Sequence, residues 1–153
     1  MMQQLKGVQS ILLAEDDEED VEFFSMALQE VAKHIILTIA TSEEGILKSL
    51  QHTIPDLLFL DSILIHIKGT ECLTKIRLHS EYEKMPVIMY SGDINETKIT
   101  EAFAAGANLY CVKPNSLNSV KDFLQNVLQM DWSDLSKIKP QYYYNNQFRD
   151  VSR

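Results

Sequence analysis

Four short apolar stretches of the chain are each followed by polar side chains of the types used in phosphoryl transfer. These side chains are two adjacent acids, Glu15 and Asp16, a later acid, Asp61, a hydroxyl, Ser91, and an amine, Lys113. A carboxylate can accept a phosphoryl group, and an acid pair beside it can hold Mg²⁺, which binds a few carboxylate oxygens and keeps several waters. Hydroxyl and ammonium donors can neutralise the phosphoryl oxygens. The set predicts a carboxylate that takes part in phosphoryl chemistry.

Each of these residues also has an ordinary structural explanation when it is considered alone. An Asp at a strand end often starts a turn, a Ser before Gly is a common turn residue, and a Lys before Pro usually lies in solvent. The acids at 17–20 suit the first turn of a helix, where negative charge complements the helix dipole. Glu15 and Asp16 lie directly at the predicted strand end, where gathered carboxylates repel each other unless a cation binds. A functional role is therefore favoured for these two acids.

Apolar segments alternate with amphipathic segments along most of the chain. The pattern predicts helices at about 17–31, 41–50, 69–79, 97–105 and 116–130, and strands at 8–14, 34–40, 57–61, 86–90 and 109–112. Such alternation indicates an α/β fold whose parallel sheet is covered on both faces. The carboxyl ends of all strands then lie on one edge, where ligands bind in open α/β sheets. This geometry is expected to bring the five polar side chains together.

Composition limits the function further. The 153 residues, 45% of them apolar, predict one globular domain. The net charge of −8 disfavours direct nucleic-acid binding and leaves proteins or cations as partners. Cys72 and Cys111 have neither zinc-site nor disulfide-framework spacing, which indicates a reducing compartment. Because no apolar run approaches the roughly 20 residues that span a bilayer, we expect a cytoplasmic protein with no membrane association.

Four motifs together resemble the receiver domain of two-component response regulators, over about residues 8–130. They are ILLAEDD at 11–17, PDLLFLD at 55–61 with Gly69, PVIMYSG at 86–92 and GANLYCVKP at 106–114. The resemblance implies a doubly wound, flavodoxin-like receiver fold with a five-stranded parallel sheet in the order 2-1-3-4-5. It also implies a protein that is not an enzyme but accepts a phosphoryl group from a histidine kinase or phosphotransfer protein. The signal would then pass to an unidentified downstream protein, and a homodimer is compatible with this scheme.

The resemblance assigns a role to each candidate residue. Asp61 would be the phosphoacceptor, Ser91 and Lys113 would hold the phosphoryl oxygens, and Tyr110 would be the aromatic switch. The metal, Mg²⁺, would be bound directly by Asp16, Asp61 and the backbone carbonyl of Ile63, and through water by Glu15.

Tyr110 is expected to report the phosphorylation state. A phosphoryl group on Asp61 would draw Ser91 inward, and the Tyr110 ring would turn from an exposed to a buried position in the vacated space. That movement would reshape the face formed by the helix at 97–105, the fifth strand and the last helix. The alternative is a fixed, half-buried tyrosine.

The loop after Asp61 departs from the family pattern. Ile65 follows Leu64 where the family usually has Leu-Pro, which predicts a more mobile or more adhesive loop. The apolar side chain of Ile63 is predicted to shield the acyl phosphate and slow its hydrolysis. The apolar sequence at 62–67 fits either a partner surface or a loop that folds inward.

Residues 131–153 are too few for an output domain, so we expect a receiver domain at 1–130 and a C-terminal tail at 131–153. This tail, which contains Tyr142, Tyr143 and Tyr144, could dock on the domain, exchange between protomers or stay disordered. Two other functions share some of these features. Aspartate-nucleophile phosphatases of the haloacid dehalogenase type use similar groups, but place an Asp where this chain has Ile63. A binding module that is never phosphorylated would not need all the site groups.

Overall fold

The computed structural model describes residues 7–151. Its strands are β1 (Ser10–Ala14), β2 (Ile36–Ala40), β3 (Leu57–Asp61), β4 (Ile63–Leu64), β5 (Ile67–Lys68), β6 (Val87–Ser91), β7 (Leu109–Val112), β8 (Gln141–Tyr144) and β9 (Gln147–Asp150). Its α-helices are α1 (Glu18–Val31), α2 (Glu43–His52), α3 (Gly69–Arg77), α4 (Glu96–Ala105) and α5 (Leu117–Leu128). Short 3₁₀ turns occupy Ser80–Tyr82 and Leu135–Lys137. Among these described helices, none has both the length and the apolar run that a bilayer crossing requires.

Side-chain caps fix where four of the helices begin. Asp17, Ser42, Asn95 and Ser116 each accept a hydrogen bond from a backbone N–H in the first turn of the helix that follows. Helix α4 ends at Gly106, whose φ of 113° lies in the left-handed region that glycine adopts readily. These caps define the loops that follow the strands, and those loops carry the candidate site.

The predicted α/β fold is confirmed. The main sheet has the order β2-β1-β3-β6-β7-β8-β9, and its first five strands are parallel. They reproduce the expected order 2-1-3-4-5, with β6 and β7 as the fourth and fifth strands. Every residue of β3 is buried, as expected for a central strand covered on both faces. Helices α1 and α5 pack on one face of the sheet, and α3 and α4 lie on the other.

The tail adds two strands to the five that the sequence predicts for this sheet. Strand β8 pairs in parallel with β7, and β9 returns antiparallel to β8. Asn145 and Asn146 join them with φ angles of 52° and 63°, the left-handed pair that a two-residue hairpin turn requires. Of the three alternatives for the tail, the structure shows docking up to residue 151.

The docked hairpin contributes to both sides of the sheet. Tyr143 lies in the cluster that contains Phe123 of α5, with ring centroids 5.0 Å apart, and Phe148 of β9 packs on it at 4.9 Å. Tyr142 and Val151 pack on the opposite cluster, beside α4. Strand β8 therefore covers the edge of β7 that the predicted five-stranded sheet would leave open.

The apolar loop after Asp61 forms a small hairpin of β4 and β5. Leu64 is buried against the core, whereas Ile63 and Ile65 are 66% and 53% exposed. His66 makes the turn with a φ of 66°. The hairpin therefore combines the two predicted alternatives, since it is anchored by Leu64 and still presents two isoleucines to solvent beside the site.

Candidate functional site

The carboxyl ends of β1, β3, β6 and β7 meet at one edge of the sheet, as predicted. Asp61, the last residue of β3, is only 7% exposed, and Ser91, the last residue of β6, is buried. Glu15 follows β1 and is fully buried, while Asp16 is partly exposed. A cleft of about 560 Å³ is lined by Asp16, Asp61, Ser91 and Lys113, and Glu15 lies buried beside it, in contact with Lys113. The predicted groups therefore converge on a single accessible site.

The three acids of this cleft are placed to hold a cation. One carboxylate oxygen from each of Glu15, Asp16 and Asp61 lies within 4.8 Å of the others. Glu15 Oε2 accepts hydrogen bonds from the backbone N–H groups of Asp16 and Asp17, at 3.2 and 3.3 Å. Glu15 Oε1 is buried and forms an ion pair with Lys113 Nζ, 2.6 Å away. Three carboxylates gathered at one point, with a single ammonium beside them, fit a bound metal ion.

Burial and charge shift the protonation of this site. Burial, reinforced by the Asp61 carboxylate and opposed by Lys113, raises the pKa of Glu15 from 4.5 to about 8. Burial alone would lower the pKa of Lys113, but Glu15, Asp20 and Asp61 outweigh it and raise the pKa above its ordinary value. Lys113 therefore remains an ammonium at neutral pH, and the pKa of Glu15 lies above that of a solvent-exposed glutamate.

The raised pKa of Glu15 predicts that the metal-free protein loses stability as pH rises from about 4.5 to about 8. In this window the folded chain holds a proton that the unfolded chain has already released, so raising the pH favours unfolding. Urea unfolding in the presence of a chelator should show the free energy of unfolding of wild type falling relative to that of Glu15→Gln, which cannot titrate. Parallel pH profiles for the two proteins would contradict the assignment.

Lys113 connects three elements of the site. Its backbone N–H donates to the Ser91 carbonyl at 2.7 Å, which fixes the end of β7 beside β6. Its Nζ lies 3.3 Å from Asp61 Oδ2 and 2.9 Å from Asp20 Oδ2. Sequence reasoning missed Asp20, because an acid in the first helical turn has an ordinary explanation in the helix dipole. Its nearness in sequence to Asp16, in the first turn of the helix that follows β1, was the available signal.

Ser91 is held by a second hydroxyl that the sequence analysis did not select. The Oγ atoms of Ser91 and Ser62 lie 2.7 Å apart, and Ser91 Oγ also accepts the backbone N–H of Asp93 at 3.1 Å. Ser62 directly follows Asp61, which was the signal for its nearness to the site. The two hydroxyls form a polar rim on the side of Asp61 that faces β6.

Gly69 supports Asp61 from below. This glycine begins α3, and its N–H donates to the Ser62 carbonyl at 2.8 Å. A Cβ at position 69 would clash with the carbonyl oxygen of Asp61. The close approach of the two backbones explains why the motif that contains Asp61 is accompanied by this glycine.

The expectation that Tyr110 starts in an exposed position is wrong. Its side chain is 1% exposed, and its hydroxyl donates to the Asp93 carbonyl at 2.7 Å. Tyr142 lies beside it in register across the β7–β8 pair and packs on the same cluster. In this buried position the ring lies beside Tyr142 of the hairpin, and the hydroxyl has the Asp93 carbonyl as its hydrogen-bond acceptor. The Tyr110 ring already occupies the buried position that the sequence analysis predicts for the phosphorylated protein.

Comparison with known proteins identifies the family. The model of the response regulator receiver domain matches residues 11–125. The chain belongs to this family. Receiver domains are the phosphoacceptor modules of two-component signalling, and their partners are histidine kinases and downstream targets.

Individual relatives agree with this membership. The phosphate regulon transcriptional regulatory protein PhoB of Rhizobium meliloti is 35% identical over 101 residues, which are 64% of this chain and 44% of that protein. A CheY homologue of Campylobacter jejuni is 34% identical over 71 residues, which are 46% of this chain and 55% of that protein. The chain thus spans about half the length of these curated relatives.

A solved structure supports the same fold. The Mn²⁺-bound form of response regulator Rcp1 matches with a TM-score of 0.71 and 22% identity, and the match covers 80% of this chain and 96% of that one. At this identity the likeness concerns the fold alone. In the protein described here, Glu15, Asp16 and Asp61 form an acidic cluster that could hold a metal ion.

Proposed function

We propose that Asp61 accepts a phosphoryl group from a phosphohistidine of a histidine kinase or phosphotransfer protein. The observation that carries this proposal is the convergence on the Asp61 carboxylate of Lys113, at 3.3 Å, and of two further acids, each with an oxygen within 4.8 Å, beside an open cleft. The chain would be an acceptor that is modified and reset. It would not be an enzyme that turns over a substrate.

The transfer is an in-line displacement at phosphorus. A carboxylate oxygen of Asp61 forms the new P–O bond while the P–N bond of the donor breaks and the imidazole leaves with the electron pair. Lys113 donates to the phosphoryl oxygens from the β7 side. The Ser91 hydroxyl, which now contacts Ser62, can turn to donate from the β6 side. The N–H of Ile63, 3.2 Å from Asp61 Oδ1, helps to orient the carboxylate.

The metal in this proposal is Mg²⁺. Asp16 and Asp61 would bind it directly, Glu15 would bind through water, and the Ile63 carbonyl would complete the protein ligands. Mg²⁺ suits a few carboxylate oxygens with several waters, and when bound it neutralises charge on the phosphoryl oxygens. The cluster of three carboxylates, which offers oxygen ligands alone, supports the choice of a hard cation.

The output is proposed to be protein contact. Residues 1–130 would form the signalling domain, and residues 131–153 a tail whose described part pairs with the edge of its sheet. The net charge of −8 opposes direct nucleic-acid binding. Two buried, unpaired thiols, Cys72 and Cys111, fit a reducing cytoplasm. The partners would be the phosphodonor, a downstream protein and, as a further candidate, a second copy of the chain.

Acetyl phosphate with Mg²⁺ provides a direct test of the acceptor. Wild type should gain the mass of one phosphoryl group, and Asp61→Asn should gain none, because an amide cannot form the acyl phosphate. Intact-mass spectrometry decides the outcome, and Asp56→Asn, at the residue just before the start of β3, is a matched control. Equal labelling of wild type and Asp61→Asn, or labelling of neither protein, would rule out Asp61 as the acceptor.

A further inference from the structure

Lys113 is surrounded by more carboxylates than the proposed transfer requires. Its Nζ lies 2.6 Å from Glu15 Oε1, 2.9 Å from Asp20 Oδ2 and 3.3 Å from Asp61 Oδ2. A lysine ammonium has three N–H donors, so the three carboxylates match its full capacity. A phosphoryl oxygen that approaches Lys113 must therefore replace one of them.

The three carboxylates differ in how readily they can release the ammonium. The side chain of Glu15 is fully buried, so its oxygens cannot be hydrated on release. Asp61 is the proposed acceptor and stays beside Lys113 when it is modified. The side chain of Asp20 is 34% exposed and projects from the first turn of α1 at the rim of the cleft. Asp20 is the one carboxylate of the three that water can stabilise after it leaves Lys113.

Asp20 also lies where its charge opposes the product. It lines the same cleft as Asp61, Ser91 and Lys113, into which a phosphoryl group on Asp61 would project. A carboxylate and a phosphoryl group of about two negative charges repel each other when both lie in one cleft. Asp20 therefore disfavours the phosphorylated form in two ways. It forms an ion pair with the Lys113 ammonium, and its negative charge repels the phosphoryl group.

We infer that Asp20 is a positioning residue that holds Lys113 in the unphosphorylated protein and yields it to the phosphoryl group. This inference rests on the proposed function of Asp61. Asp20 thereby lowers the affinity of the site for a phosphoryl group and sets the fraction of protein that is phosphorylated at a given supply of donor. An acid that sequence reasoning attributes to the helix dipole thus has a second role through its contact with Lys113.

Beryllofluoride, a non-covalent phosphoryl mimic, tests the inference at saturating Mg²⁺. Asp20→Asn should bind it about 2- to 5-fold more tightly than wild type, the range to which a partly exposed ion pair converts. Glu19→Gln is the matched control, because it removes one charge from the adjacent, exposed position of the same helical turn, and its affinity should equal that of wild type. A purely structural role for Asp20 would leave the affinity unchanged or weaken it.

The carboxyl ¹³C resonance of Asp20 gives a second measurement, on wild type itself. Beryllofluoride should shift it towards the value of a solvated carboxylate, because the contact with Lys113 is broken, while the Glu19 resonance stays in place. An Asp20 resonance that does not move, or an Asp20→Asn variant that binds beryllofluoride no more tightly than wild type, would overturn the inference. If wild type does not bind beryllofluoride at Asp61, the proposed function itself fails, which is a different result.

Discussion

Asp16→Asn should weaken Mg²⁺ binding by more than about 100-fold, the largest loss expected of any single acid other than Asp61. Asp16 is partly exposed at the mouth of the cleft, and its carboxylate lies within 4.8 Å of those of Glu15 and Asp61. An acid at the mouth can contact the metal directly. Loss of a direct carboxylate ligand removes both charge and a coordination position from a hard-cation site. Titration calorimetry with Mg²⁺ measures the effect.

Glu15→Gln should cost less, about 10- to 100-fold, because Glu15 is proposed to bind through a water molecule. The isosteric amide keeps the buried site filled, so both variants should remain folded. Glu19→Gln, an exposed acid in α1, controls for the general loss of negative charge and should change the affinity little. If Glu15→Gln is the more damaging variant, the direct and water-bridged roles are reversed.

The sequence predicted the parallel core and most of the site for the same physical reason. Strands buried on both faces produce continuous apolar runs, and the polar residues that end these runs must lie on the carboxyl edge of a parallel sheet. Glu15, Asp61 and Ser91 follow from that rule alone. Their contact distances do not, since these depend on how the capped loops after each strand are folded.

Asp20 and Ser62 were missed because a local explanation was sufficient for each. An acid in a first helical turn and a serine after a strand are common, and only tertiary packing brings Asp20 to Lys113 and Ser62 to Ser91. The buried position of Tyr110 was missed for a related reason. It depends on β8, which the sequence analysis left as a tail of undetermined structure.

The sequence of the β8–β9 hairpin contains a signal for its own turn. Within residues 141–150, two four-residue segments that contain aromatic residues are separated by Asn145 and Asn146. Asparagine is favoured in two-residue hairpin turns because it tolerates the positive φ angle that they require. The sequence does not state where such a hairpin would dock. Its position follows from the open edge of β7 and from the apolar surface that α4 and α5 leave beside that edge.

Tyr143→Ala should destabilise the protein by about 3–5 kcal/mol, the usual cost of removing a large buried aromatic side chain. Tyr143 is 2% exposed and packs between Phe123 of α5 and Phe148 of β9. Its removal would leave a cavity on the α5 face of the sheet and weaken the seam between β7 and β8. Urea unfolding measured by circular dichroism gives the change in the free energy of unfolding.

Two further variants separate packing from other effects at this position. Tyr143→Phe keeps the ring and removes only the hydroxyl, so it should cost much less than Tyr143→Ala. Tyr144→Ala removes the neighbouring, partly exposed ring, which lies over Arg149, and should cost about 1 kcal/mol or less. Equal losses for Tyr143→Ala and Tyr144→Ala would contradict the docked arrangement of β8. A large loss for Tyr143→Ala alone would mean that β8 and β9 are integral to the fold. Any partner that reads the face between α4 and α5 must then meet this hairpin rather than the bare edge of β7.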